Sequence, residues 1–164
     1  MNHDFIKNAL LQWVENFVEQ PHPSLGGWPP CPFARKARLT NSIDIRPGTD
    51  VAQDARSLLD YSWEKEVVIF WYEPSAVPSN QFVEQVRLVN LELMPQDVVV
   101  LEDHPEVDEI ISGVKMNFGP CALIVCQQLS KLNLAADQLS QKDYYHTWSQ
   151  EDLDKIVTWR YKDK

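Results

Sequence analysis

The sequence predicts an α/β fold: a small mixed, largely parallel sheet flanked by helices, with an N-terminal helix and a proline-rich loop ahead of it. Three observations carry this. Apolar runs stand at "EVVIFWYE", "DVVVLE" and "CALIVCQ", as expected of strands covered on both faces. Segments between them repeat apolar residues at helical spacing. Strand and helix alternate along the chain, the pattern of layered α/β proteins.

Ile6, Leu10, Trp13, Val14 and Phe17 share one face of a first helix, Asp4 to Glu19, with Asp4 as its N-cap. "QPHPSLGGWPPCPF" follows. Its prolines lack donors and its glycines loosen the backbone, so it reads as a loop. Leu25, Trp28 and Phe33 within it argue that the loop is packed. "NSIDIRP" alternates as a short strand. Thr49 or Asp50 caps a helix carrying Val51, Ala55, Leu58 and Leu59. "EVVIFWYE" is the next strand. Ser79 opens a helix with Phe82, Val86, Val89 and Leu93 on one side. "DVVVLE" is a buried strand, "DHPEVDEIISGVKMNFGP" is irregular with one helical turn, and "CALIVCQ" is a fourth strand. "LSKLNLAADQL" fits either a strand or a short helix. "SQEDLDKIVTWRY" opens with Ser149 and Asp152 in a capping-box arrangement. Right-handed crossovers make the first three strands run the same way. Thioredoxin-like and ferredoxin-like layering both fit.

At 164 residues the chain is expected to be a single domain over 1–164, with a core of its own. A net charge of −9 repels phosphate backbones, so general nucleic-acid binding is disfavoured. No stretch has the pattern of a signal peptide or the length of a membrane span, so a cytoplasmic location and reduced thiols are the expectation. Cys121 and Cys126, five apart on one strand, point to opposite faces and do not pair. A homo-oligomer and a small-molecule substrate both stay open.

The common catalytic signatures are missing: there is no GxGxxG, no phosphate-binding GxxxxGKS, no GxSxG and no HExxH. His3, His22, His104 and His146 are too scattered for a zinc pattern. His3 reads as a surface residue near a frayed end, and His22 as an exposed loop residue. His104 differs. It directly follows a buried strand, where sites gather in open sheets, and Pro105 restricts its backbone to extended shapes. Its ring is therefore aimed, and neutral imidazole is a good ligand for haem iron or zinc. The alternative is a loop cap stabilised by Asp103 or Glu106. Cys31 precedes Arg35, Lys36 and Arg38, cations that lower a thiol pKa; the alternative is a small buried residue in a proline-fixed elbow. Pro120 fixes how the chain enters the last strand. Tyr144, Tyr145, His146 and Trp148 line a pocket or form packed aromatic surface.

Two blocks together carry a resemblance. "CPFARKARL" followed by "IDIRP", after a tryptophan-bearing first helix, resembles an uncharacterised bacterial CPFA-motif domain family. "DHPEVDEIISGVKMNFGPCALIV" resembles the later part of that family. Both blocks are distantly similar to the YqcI/YcgG family of haem proteins, some of which N-hydroxylate guanidine groups. The resemblance implies a haem-dependent, oxygenase-like enzyme acting on a small nitrogen-containing metabolite, with His104 as axial haem ligand. Arg35, Lys36 or Arg38 would then pair with a haem propionate, between walls from "VVIFWYE" and "CALIVC". The competing expectation is a non-catalytic accessory domain that presents its Pro/Trp loop and acidic surface to a partner. Thiol chemistry at Cys31 is a third.

Overall fold

The structure, a computed structural model, describes residues 1–161. Helix α1 spans His3–Trp13 and runs on as a widened, π-helical turn over Val14–Val18. Its N-cap is Asn2, whose Oδ1 accepts from the Phe5 N–H at 3.2 Å, so Asp4 lies inside the first turn. The remaining elements are α2 (Ala34–Leu39), β1 (Ile43–Pro47), α3 (Val51–Arg56), β2 (Val67–Tyr72), α4 (Ser79–Leu93), β3 (Val98–Asp103), β4 (Ile110–Ile111), β5 (Val114–Lys115), β6 (Ala122–Gln128), α5 (Leu129–Ser140) and α6 (Gln150–Ile156). Asp50 caps α3 through the Gln53 N–H. Ser149 caps α6 through the Asp152 N–H. The α4 cap position is Pro78 rather than Ser79, and no side chain bonds there.

The main sheet has the order β1-β2-β6-β3. β1 and β2 pair in parallel; β6 pairs antiparallel with both β2 and β3. The first three strands do run the same way. The sheet is nevertheless mostly antiparallel in its hydrogen bonding, because β6 enters between β2 and β3. The unit β2-α4-β3 is thus split by β6, as in ferredoxin-like layering. The segment 104–118 holds no helical turn. It contains the β4-β5 ribbon, turned at Ser112 and Gly113 with φ of 51° and 82°. Positive φ at both central residues is the geometry of a tight hairpin turn.

Two apolar layers enclose the sheet. On one face, Val68, Phe70, Ala122, Ile124 and Cys126 meet α3, the turn after it and α4 through Ala55, Leu58, Phe82, Val86 and Leu93. On the other, Ile45, Ile69, Trp71 and Leu123 meet Ile6, Leu10 and Val14 of α1. Cys121 belongs to this second layer and Cys126 to the first, the opposite placement that their spacing predicts. His3 is part of the packing: its Nδ1 accepts from the Trp71 indole N–H at 3.0 Å, and its ring stacks on that indole.

Each edge strand is blunted at one position. The Asn90 amide pairs with the Val100 N–H and C=O, each at 2.8 Å, where β3 turns its backbone away from β6. On β1, the Gly48 N–H donates to Trp71 O, so by alternation the Pro47 nitrogen faces outward, where no ladder donor is needed. Gly48 is fixed by close approach: a Cβ there would overlap the Tyr72 ring. That ring is held in turn by its hydroxyl, which donates to Asp54 at 2.7 Å. Gly48→Ala is therefore expected to lower the unfolding free energy by about 1–3 kcal/mol, measured by urea denaturation. An unchanged midpoint would contradict the packing described.

Candidate functional site

The chain at the C-terminal end of β3 is pulled inward by its own sequence. Val98, Val99 and Val100 are buried, and Pro105 keeps His104 extended. The His104 ring is consequently buried, tilted against Phe82 at 5.4 Å between centroids. Its Nδ1 accepts from the Glu106 N–H at 3.1 Å. That nitrogen carries no proton, so the proton sits on Nε2, which lies 2.7 Å from Val77 O and donates to it. One neutral tautomer thus ties the β3 end to the loop before α4.

Asn117 does the same work from the other side. Its Nδ2 reaches Asp103 Oδ1 at 2.9 Å and Val107 O at 3.0 Å, and its Oδ1 accepts from the Glu109 N–H at 2.8 Å. The second Asp103 oxygen accepts from the Phe118 N–H at 2.8 Å. Sequence reasoning missed Asn117. The available signal was a single polar residue in "MNFGPCALIV", otherwise apolar on its way into a buried strand.

Burial raises the carboxyls gathered here. Asp103 is pushed above the usual carboxylate range by burial, opposed by the Phe118 N–H and Asn117. Burial holds Glu109 at about 7, reinforced by Asp103 and Glu102. Glu102 is raised to about 7 as well, through desolvation of its carboxyl, although the residue as a whole is exposed. The Cys121 thiol is pushed up to about 12 by burial and then by Asp103.

These residues do not fit a haem. Either His104 nitrogen would have to give up a backbone partner to bind iron. The two strands expected to wall the macrocycle are hydrogen-bonded neighbours whose side chains fill the two apolar layers. The cations are elsewhere. Arg38 grips Glu19 through Nε and Nη2 at 2.9 and 2.7 Å, and this bond holds the nearly buried Glu19 carboxyl below its ordinary value. Arg35 and Lys36 are exposed on α2, which leads into the N-terminal end of β1. His104 lies at the C-terminal end of β3, three strand spacings away, or roughly 14 Å across the sheet plus its length. The geometry does not bring the four residues together. Among the described residues, no three His, Cys, Asp or Glu side chains form a group that holds a metal.

Cys31 is part of a folded elbow. Its N–H donates to Val18 O at 2.9 Å, and burial pushes its thiol up rather than down. Trp28 packs edge-on against Tyr144, and the Tyr144 hydroxyl donates to Pro30 O. Tyr145 and Trp148 extend this cluster as packed aromatic surface. Pro120 is exposed at the entry to β6, and all described peptide bonds are trans. Among the described residues, no helix is long and apolar enough to cross a membrane. No protein-family model matches the chain, and neither a curated protein nor a solved structure shows significant similarity to it.

Two outcomes follow from this geometry. His104→Ala removes a buried ring and strands Val77 O and the Glu106 N–H, so it is expected to cost about 2–4 kcal/mol in chemical denaturation. A loss below 0.5 kcal/mol, as for a surface change, would contradict the tie. The second concerns Glu109. Its folded-state value of about 7 exceeds the ordinary 4.5, so the folded protein binds this proton more tightly than the unfolded chain. That contribution is present below pH 4.5 and is lost as pH rises through 7. Glu109→Gln should thus raise stability at pH 8 relative to wild type by about 1–2 kcal/mol and leave it unchanged near pH 4. Equal effects at both pH values would refute the assignment.

Proposed function

We propose that this chain is a non-catalytic interaction domain whose acidic loop after β3 engages a basic, partly apolar segment of a partner. One observation carries the reading: the side chains suited to chemistry face inward and are bonded there, whereas the loop turns charge outward. Within "EDHPEVDEI", Glu102, Glu106 and Asp108 are exposed, and so are the apolar Val107 and Ile110. Lys115 pairs with Asp108 at 3.1 Å; no ion pair joins Glu102, Glu106 or Glu109 to a cation among the described residues. Carboxyls raised toward neutrality report charge that a cation would stabilise. Apolar side chains set among them supply burial that charge alone does not.

A haem-dependent oxygenase, the function implied by the resemblance, requires His104 to exchange one of its backbone bonds for iron. The fixed tautomer and the distant cations support the interaction reading instead. An amphipathic lysine-rich peptide, titrated into the protein at low and high salt, tests it. Binding is expected at low salt, weakened by added salt and lost in Glu106→Lys/Asp108→Lys. No binding at low salt would sink it. Added hemin should keep the Soret band of free hemin; a shifted, sharpened band that reverts in His104→Ala would put the haem reading in its place.

A further inference from the structure

A second place in the molecule is left open by the packing of its last helices. Ala136 and Ser140 stand four apart on α5, with Asp137 beside them. Leu153, Val157 and Tyr161 follow at the same interval through α6 and the final 3₁₀ turn, Thr158–Tyr161. Four-residue spacing sets each group on one face of its segment. The two faces and Tyr145 enclose a hollow of about 230 Å³. The Tyr145 ring is held there by edge-on contacts with Tyr144 and Trp148, at 4.8 and 5.0 Å between centroids.

The polar part of this lining is rich in acceptors and short of donors. Ser140 spends its hydroxyl hydrogen on Asp137 O at 2.7 Å. Tyr161 spends its own on α5, with its hydroxyl 3.0 Å from Asn133 O and 3.1 Å from Asp137 Oδ1. Asp137 carries the one formal charge in the lining, and an ionised carboxylate only accepts. It forms no ion pair among the described residues. Arg160 is 6% exposed and lines no part of the hollow. Its charge acts from behind the wall. A cation in contact with Asp137 therefore gains more than it loses, because Coulomb energy falls with distance.

We infer that this hollow binds a small organic cation, a protonated amine carried on one apolar ring, with Asp137 as its anion. An ammonium brings three donors and no acceptor, the complement of this lining. Its bond to a carboxylate is charge-assisted, the stronger class of hydrogen bond. The Tyr145 and Tyr161 rings add the attraction of aromatic faces for a cation. Ala136, Leu153 and Val157 give the ligand's ring an apolar surface to cover. The volume equals that of roughly seven or eight waters, room for a single ring and a short chain. The chain's net charge of −9 favours the approach of a cation over that of an anion.

Phenethylamine is the probe, titrated into the full chain by ligand-observed NMR, with phenylacetate and 2-phenylethanol as the anionic and neutral forms of the same body. Phenethylamine should bind, 2-phenylethanol about tenfold more weakly, and phenylacetate not at all. Asp137→Asn should weaken phenethylamine by about tenfold and leave the thermal midpoint unchanged, because the amide oxygen still accepts from Tyr161. Leu153→Trp, which fills the hollow and keeps the carboxylate, should abolish binding. Glu106→Lys/Asp108→Lys should bind phenethylamine like the wild type, which separates this site from the loop after β3. The proposal is overturned if phenethylamine fails to bind, if phenylacetate or 2-phenylethanol matches it, or if Asp137→Asn or Leu153→Trp binds like the wild type. Loss of binding in the loop variant would overturn it too.

Discussion

The insertion of β6 between β2 and β3 is the constraint from which the rest of the molecule follows. A strand in that position is covered on both faces, so it must be apolar throughout its core. It must also be reached by a connection that reverses the chain at the sheet end. That connection, residues 104–121, has too little regular structure to satisfy its own backbone. Side chains do it instead. Asn117 bonds Val107 O and the Glu109 N–H, Asp103 takes the Phe118 N–H, and His104 bridges Val77 and Glu106. Each such bond contributes only about 1 kcal/mol net. Their removal costs more, because it leaves a buried group without water or partner. The polar residues that resemble a catalytic group are thus the fasteners of a reversed strand.

Much of this was legible in the sequence. Continuous apolar runs located β2, β3 and β6, since only a doubly covered strand has no use for alternation. Spacing located α1 and α4. Asp50 and Ser149 announced helix starts, because a short oxygen-bearing side chain there meets an N–H that the helix leaves free. Other features were hidden for physical reasons. The rank of β6 in the sheet is a long-range outcome that no local pattern encodes. α5 was ambiguous because Leu129, Leu132 and Leu134 satisfy either period; as a helix it buries Ala136 and Leu139. The β4-β5 ribbon has two residues per strand, too few for alternation to register. Its Ser112-Gly113 turn lies where the sequence was expected to hold a helical turn.

The site candidates show the same division. The His104 ring was expected to be aimed by Pro105; it is buried, and around it stand a carbonyl and an N–H group that bond it. One of the cations after Cys31, Arg38, did find an anion. It was Glu19, from the end of the first helix, placed there by an elbow whose turns a one-dimensional reading cannot close. Arg38 and Glu19 are nineteen residues apart, and their bidentate geometry fixes α2 against the π-helical turn. The widened turn has its own use: the Val18 carbonyl is left to receive the Cys31 N–H. Motif, helix irregularity and ion pair are one structural device.

Once these devices are accounted for, the polar groups divide into two classes. His104, Asn117, Asp103, Asn90 and Arg38 are paired, and the fold requires them. Among the described residues, Arg160, Glu102 and Glu109 form no ion pair, and Asn133 Oδ1 has no hydrogen-bond partner. Consistency between local chemistry and global packing is the rule in folded chains, and departures from it concentrate where a protein does something other than fold. The two departures here lie on different elements, one in the loop beyond β3 and one between α5 and α6. They have opposite charge. The carboxyls of the first stand beside the exposed Val107 and Ile110, the arrangement on which the proposed basic partner rests, whereas the cation of the second is closed in.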